Sequence, residues 1–312
     1  MPGPRARQGG WRIWLSRPGV MRMNERRALH RVAVVVHHDR PLALELASTV
    51  IEWAASIGAS VMMTEDDAAI VRDLATRGAA PQGVEPGQLS NADVTIAIGG
   101  DGTVLRAVRL VADAGVPIVA FNAGQLGYLA DVAPERARWA LGELAAGRGR
   151  TEERMRVQAN VGGEVVTGLN EVVVERAFTG HTVRLRVYFD GEFFTSYVSD
   201  GMVVATPTGS TAYAFSVRGP IVAPTHRALL MVPVAPHLLF DRALVLEATS
   251  TIELEVVGHR PAKVSIDGQG GFDVTPGNRI VCSTASKPAR FIRFEELRFH
   301  HVLKRKFSLA DR

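Results

Sequence analysis

The 312-residue chain is 46% hydrophobic and 22% charged, an ordinary composition for a soluble globular protein and long enough for two domains with cores of their own. Its single cysteine, Cys282, excludes an internal disulfide and fits a reducing, cytoplasmic setting, and no run of about 18 apolar residues is present to cross a membrane. The net charge of +4 gathers at the ends, where Arg5, Arg7, Arg12, Arg17, Arg22, Arg26, Arg27 and Arg31 face one acid, Glu25, and at Lys304-Arg305-Lys306; the body between is slightly acidic, which argues against nucleic-acid binding.

Residues 1–28, arginine-rich and broken by Pro2, Pro4, Gly9, Gly10, Pro18 and Gly19, are expected to form a disordered basic extension. They carry neither the apolar stretch of a signal peptide nor the amphipathic pattern of a transit peptide. From Arg31 the chain alternates strand-like and helix-like segments. Arg31–Val36 reads as a buried parallel strand, 41–57 as a helix closed by Gly58, 60–63 as a strand and 66–77 as a helix stopped by Gly78. The stretch 79–91, with two prolines and two glycines, reads as a loop. A strand at 93–98, a helix to Ala114, a strand at 117–121 and a helix over 134–146 follow. Strands spaced by helices predict an α/β domain over 29–150, its parallel sheet covered on both faces.

Two loops of this half carry chemistry. Gly99-Gly100-Asp101-Gly102-Thr103 joins a strand to a helix, where glycines let backbone N–H groups approach a phosphate at the positive end of the helix dipole. A carboxylate repels phosphate, so Asp101 makes sense there as a proton acceptor or as a group facing a metal ion beside the phosphates. The turn contains no P-loop lysine, and no dinucleotide fingerprint follows the first strand, which reads His37-His38-Asp39-Arg40. The second loop, Asn122-Ala123-Gly124-Gln125-Leu126-Gly127-Tyr128-Leu129, also lies beyond the carboxyl end of a strand, where open α/β sheets bind ligands.

Past residue 150 the texture becomes β. Short runs at 155–161, 164–169, 172–176, Val183–Phe189, 192–198 and 202–206, with a hairpin turn at Asp190-Gly191, continue at 244–246, 251–257, 263–266 and 279–283. A β-rich, sandwich-like domain is expected over 151–287, and 288–312 is expected to return to the first domain. Asn170-Glu171 sets an amide beside a carboxylate, able to serve vicinal hydroxyls and a base edge, or simply to lie on a solvated surface. Ser199-Asp200-Gly201 precedes Thr206-Pro207-Thr208-Gly209-Ser210-Thr211-Ala212-Tyr213, which packs five hydroxyls and a glycine into eight residues. That stretch reads as a polar-ligand loop, as a helix N-cap, or as both.

Taken in order, GGDGT at 99–103, NAGQLGYL at 122–129, LNE at 169–171 and SDG with TPTGSTAY at 199–213 resemble the hallmark motifs of the NAD kinase family. The resemblance covers roughly residues 30–307. TPTGSTAY together with GGDGT is specific, whereas GGDG alone is shared with diacylglycerol and sphingosine kinases. The resemblance implies an α/β domain, a β-rich domain and a C-terminal segment crossing back. It implies that the adenosine 2′-hydroxyl of NAD is phosphorylated to give NADP, with Asp101 as general base. Gly99, Gly100, Gly102 and Thr103 would hold phosphates, and Asn170 and Glu171 ribose and base. Asp200, with Val198 nearby, would contact the nicotinamide end, in the family often across a subunit interface of a homodimer or homotetramer. Thr211, Ala212, Tyr213, Ala214, Phe215 and Ser216 would line the adenine and ribose pocket, and Arg106, His181 and Gln269 fall where the family has accessory NAD contacts. Two departures stand out: Tyr128 where Phe is commoner, and Arg218-Gly219-Pro220 in place of Gly-Gly-Pro.

The donor would be ATP or inorganic polyphosphate. Without a Walker lysine, Mg²⁺ and backbone amides are expected to shield its phosphates, the Mg²⁺ arriving with the nucleotide because no spacing suggests a protein-held metal site. Two rivals remain at this level: a lipid kinase of the diacylglycerol type, which leaves the 206–211 cluster unexplained, and a non-catalytic NAD-binding regulator.

Overall fold

A computed structural model describes residues 20–22, 28–72, 80–124, 127–295 and 299–309. Its first half holds β1 (Val20–Arg22), β2 (Arg31–Val36), α1 (Pro41–Ser56), β3 (Ser60–Thr64), α2 (Glu65–Val71), β4 (Gln82–Val84), β5 (Val94–Gly99), α3 (Asp101–Val111), β6 (Ile118–Asn122), α4 (Ala137–Ala145) and β7 (Arg150–Arg154). The second half holds β8 (Val157–Val161), β9 (Glu164–Gly168), β10 (Glu171–Arg176), β11 (Val183–Phe189), β12 (Glu192–Ser199), β13 (Gly201–Ala205), the short α5 (Tyr213–Ser216), β14 (Ala228–Val234), β15 (Leu244–Glu247), β16 (Ile252–Val257), β17 (Ala262–Ile266), β18 (Gln269–Val274) and β19 (Arg279–Thr284). β20 (Ala289–Arg293) and α6 (Phe299–Lys306) end it.

The first sheet runs β1-β7-β20-β6-β5-β2-β3-β4, parallel from β20 to β4 and antiparallel at β7 and β1. β2 shows why it forms a central strand. Val32, Val34 and Val36 pack into one core with the apolar face of α1 and with α4, while Ala33 and Val35 pack into another with α3. Period-two alternation of β-branched and small residues therefore serves helices on both faces. α1 buries Ala43, Leu46, Ala47, Val50, Ile51 and Ala54, the stripe expected of an amphipathic helix.

The second half is a sandwich of two antiparallel sheets, β15-β14-β13-β10-β17-β18 and β12-β11-β16-β19-β8-β9. Val172 and Val174 of β10 point into the core between the sheets, while Val173 turns outward beneath Ala214.

Several sequence expectations need correction. β7 belongs to the first sheet, so the sandwich begins at Val157 and not at 151. The 79–91 stretch is more than a loop: β4 pairs in parallel with β3, and a 3₁₀ helix spans Pro86–Asn91. Its prolines flank the strand, where a missing N–H costs nothing. β14 and β18 escaped notice because Pro233 interrupts one and Gly270-Gly271 weaken the other. The expected disorder of 1–28 lies largely outside the described residues, but Val20–Arg22 pairs with the edge of β7. The helix expected over 66–77 runs over Glu65–Val71, and 73–79 lie outside the described residues.

Candidate active site

β2, β5 and β6 are neighbours in the sheet and point the same way, so the turns that follow them meet at one edge. β5 ends at Gly99, where a Cβ would lie 2.2 Å from Thr103 Oγ1, so the chain turns into α3 with room only for glycine. Asp101 opens that helix. Its Oδ2 accepts the backbone N–H of Tyr128 at 2.9 Å and its Oδ1 that of Leu129 at 3.0 Å. A Cβ on Gly127 would lie 2.0 Å from the same Oδ1, so the second loop closes over the carboxylate because residue 127 has no side chain. Gly102 faces open space. Gln125 and Leu126 lie outside the described residues.

The second half of the site is built around Asp267. Its carboxylate accepts the N–H groups of Leu169 (2.7 Å), Asn170 (2.8 Å) and Glu171 (3.1 Å). Burial pushes its carboxyl upward, and those three bonds oppose the shift. Leu169 is fully buried in the core that also contains Val104, Ala107 and Val108 of α3, which fixes the sandwich against the glycine-turn helix. Thr206 Oγ1 donates to the Leu169 carbonyl at 2.6 Å, and the Thr206 N–H donates to the Asn170 carbonyl at 2.8 Å. A Cβ on Gly209 would lie 2.1 Å from that Asn170 oxygen, so the TPTG segment is locked onto the NE segment.

Glu171 is buried, and its Oε2 has no hydrogen-bond partner among the described residues. Burial first, then the charge of Asp267, push its carboxyl up to about 8, with the Tyr213 backbone N–H opposing. Tyr213 itself lies within the field of Glu175, Asp200, Arg176 and Glu171, and burial raises its phenol above the ordinary range. Asp200 forms an ion pair with Arg176, whose Nη1 also donates to the His181 carbonyl at 3.2 Å. Val198 is half-buried on β12, and its carbonyl accepts the N–H of His237. Thr211 and Ala212 are partly exposed, Ala214 is buried, and Tyr213, Phe215 and Ser216 are exposed. Just beyond, Arg218 adopts φ +66°, the left-handed region that favours the glycine it replaces.

The returning tail touches both halves. Lys306 Nζ lies 4.7 Å from the centre of the Tyr128 ring, and Phe307 packs on Phe215 with ring centres 5.3 Å apart. Asn170, Glu171, Asp200, His181 and the 211–216 segment thus gather on the sandwich, with Asp101 tied to it through Leu169 and the tail.

One expected ligand, Arg106, takes other partners. Arg106 turns to Asp67, fully buried, at 2.9 and 3.0 Å, and also donates to the Val36 carbonyl at 2.7 Å; His38 completes the cluster at 2.6 Å from Asp67. A guanidinium committed to a buried carboxylate is poorly placed to hold NAD as well. Gln269 lines a cleft of about 320 Å³ with Arg109, Arg156, Leu169, Asp267 and Phe272. Sequence reasoning passed over Asp67, Asp267 and Arg40. Only Asp267-Gly268 offered a signal, a turn dipeptide beside Gln269.

Residues 32–148 match the ATP-NAD kinase N-terminal domain, and residues 169–294 the ATP-NAD kinase C-terminal domain. The chain belongs to the NAD kinase family. The NAD kinase of Moorella thermoacetica is 34% identical over 287 residues, 90% of each chain, and that of Thiobacillus denitrificans 37% identical over 222 residues, 70% of this chain and 77% of the relative. Among solved structures, yeast NADH kinase complexed with NADH superposes with a TM-score of 0.85 at 25% identity, covering 92% of this chain and 90% of the yeast chain. An NAD kinase from Archaeoglobus fulgidus in complex with ATP gives 0.72 at 26% identity, covering 90% and 100%. The NAD kinase family architecture, a parallel-sheet domain joined to an antiparallel β-rich one, is the architecture described above. The family displaces the rival reading as a lipid kinase of the diacylglycerol type.

Proposed function

We propose that this member of the NAD kinase family transfers the terminal phosphoryl group of ATP to the 2′-hydroxyl of the adenosine ribose of NAD, giving NADP, with Asp101 as the general base. The observation that carries the assignment is the seating of Asp101, held by two backbone N–H groups at the start of α3 beside the glycine turn. Each carboxylate oxygen keeps a second lone pair, so the group can accept a proton while its position stays fixed. The ribose oxygen bonds to the terminal phosphorus as the bond from that phosphorus to the bridging oxygen breaks. ADP leaves, and the hydroxyl proton passes to Asp101 and then to water. A positioned base contributes about 10²–10⁴ in rate, and alignment of hydroxyl and phosphate supplies most of the rest.

Asn170 and Glu171 hold ribose and base, the 211–216 segment lines the adenosine pocket, and Asp200, with Val198, Arg176 and His181, faces the nicotinamide end. Among the described residues no group of three or more His, Cys, Asp and Glu side chains is clustered to hold a metal. Mg²⁺ would enter with the donor, as Mg·ATP. The ATP complex of the Archaeoglobus relative supports ATP as donor; polyphosphate would use the same cradle, and competition between the two donors tests it. Self-association is supported by Phe194 and Phe240, exposed aromatic residues whose rings meet with centres 6.0 Å apart. Light scattering on the purified protein measures it. The single thiol, Cys282, is buried and free, which supports a reducing, cytoplasmic setting.

The test is NADP formation from NAD and Mg·ATP by the purified chain and by Asp101→Asn. The variant is expected to bind NAD and turn over about 10²–10⁴ more slowly. Parental turnover in the variant would remove Asp101 from the role.

A further inference from the structure

We propose that Arg40 is the cation that binds the terminal phosphates of the donor, a role that rests on the reaction assigned above. The glycine turn lacks the lysine of a P-loop, yet the phosphates brought there carry several negative charges. Arg40 comes from the turn between β2 and α1, and Pro41 behind it holds its backbone extended (φ −112°, ψ 113°). Its guanidinium reaches across the carboxyl ends of three adjacent strands. Nη1 donates to the Ala123 carbonyl at 3.4 Å, a long single bond. A Cβ on Gly124 would lie 2.0 Å from Nη1 and 2.9 Å from Cζ, and one on Gly100 would lie 3.6 and 3.8 Å from the two terminal nitrogens.

The guanidinium is therefore slotted between the turn after β5 and the turn after β6, beside the N-terminal end of α3. Both flanking residues are glycines, and a side chain at residue 124 would have to displace the guanidinium from this slot. No Arg40 ion pair exists among the described residues, although thirteen other ion pairs occur in them. The acid of this turn, Asp101, is directed at Tyr128 and Leu129 instead. A half-buried guanidinium with four N–H bonds to offer, seated at a helix start beside open glycine backbone, matches a phosphate by charge and by its planar fork.

The experiment is a steady-state comparison of the full chain with Arg40→Ala, Arg40→Lys and Gly124→Ala, varying Mg·ATP at saturating NAD and then the reverse. Arg40→Ala is expected to raise KM for ATP on the order of 10- to 100-fold, the loss of a charged hydrogen bond, with KM for NAD within about twofold. Lysine restores part of the loss, because charge survives without the fork. Gly124→Ala, with Arg40 intact but displaced, reproduces the alanine variant. Titration calorimetry with NAD alone checks each variant: unchanged NAD binding with weakened ATP use supports the role, and a parallel loss of both overturns it. An unchanged KM for ATP in Arg40→Ala also overturns it. If the parent chain itself makes no NADP, the reaction assignment fails first; if the parent is active and only the Arg40 prediction fails, that assignment stands.

Discussion

Glu171 should make the ligand-free protein lose stability as the pH rises through neutrality. Its carboxyl is pushed from an ordinary 4.5 to about 8. The folded chain therefore holds this proton more tightly than the unfolded chain does. The stabilising contribution is fully present below about pH 4.5 and is lost as the pH climbs towards 8. Each pH unit in that window costs about 1.4 kcal/mol, so at pH 7 the side chain penalises the fold by roughly 3 kcal/mol. Asp267, also raised by burial, slopes the same way. Glu152 acts elsewhere: the Arg154 and Arg293 charges overcome its burial and hold it down at about 2, so its contribution is lost only as the pH falls from 4.5 towards 2. Glu171→Gln keeps the shape and the acceptor for the Tyr213 N–H but removes the titration. Urea unfolding of parent and variant from pH 5 to pH 8 should show the variant gaining about 3 kcal/mol relative to the parent across that range. Parallel curves for the two proteins would mean that Glu171 does not titrate there, and the account of its burial would be wrong.

Two further substitutions separate roles that the sequence alone merges. Gly127→Ala should displace Asp101, because the new Cβ would stand 2.0 Å from Oδ1; NADP formation should fall about 10²-fold with the melting temperature little changed, and an active variant would show that the carboxylate needs no such seating. Arg106→Ala strips a charge partner from Asp67, a fully buried carboxylate, so the chain should lose on the order of 3 kcal/mol of stability while KM for NAD stays close to the parent's. A large rise in KM for NAD with unchanged stability would restore Arg106 as a dinucleotide contact.

Much of this molecule was legible because its signals are local. The runs 31–36 and 93–98 read as strands, one residue from the observed Val94–Gly99 in the second case, and the glycine turn between β5 and α3 declared itself by five residues in a row. The TPTGSTAY stretch was equally plain. What could not be read depends on chain segments meeting at long range. Asp267 binds N–H groups 96 to 98 residues away, and the Asp267-Gly268 dipeptide marks a turn there but not that duty. Arg40 looks like any residue before a helix until the ends of β5 and β6 come alongside it, with 83 residues separating it from Ala123. Arg106 misled for the converse reason: one helical turn beyond Asp101 it shares the loop's neighbourhood, but its partner Asp67 lies 39 residues back on α2.

Three aspartates, each spaced differently, use one device to build the crevice. Asp67 bonds the Val36 N–H at the end of β2 while neutralised by Arg106, Asp101 takes two N–H groups of the 127–129 loop, and Asp267 takes three from 169–171. A carboxylate accepting backbone N–H groups fixes a loop more firmly than a side-chain pair, since the bond is charge-assisted and one partner has no rotamers to lose. Of the three, only Asp101 sits beside open glycine backbone and a cation without an ion-pair partner among the described residues. Asp67 is sealed by Arg106 and His38, and the half-buried Asp267 has its carboxylate taken up by the three N–H groups of 169–171. In the reaction proposed above, chemistry falls to Asp101 by its surroundings, and the other two hold the end of β2 and the NE segment.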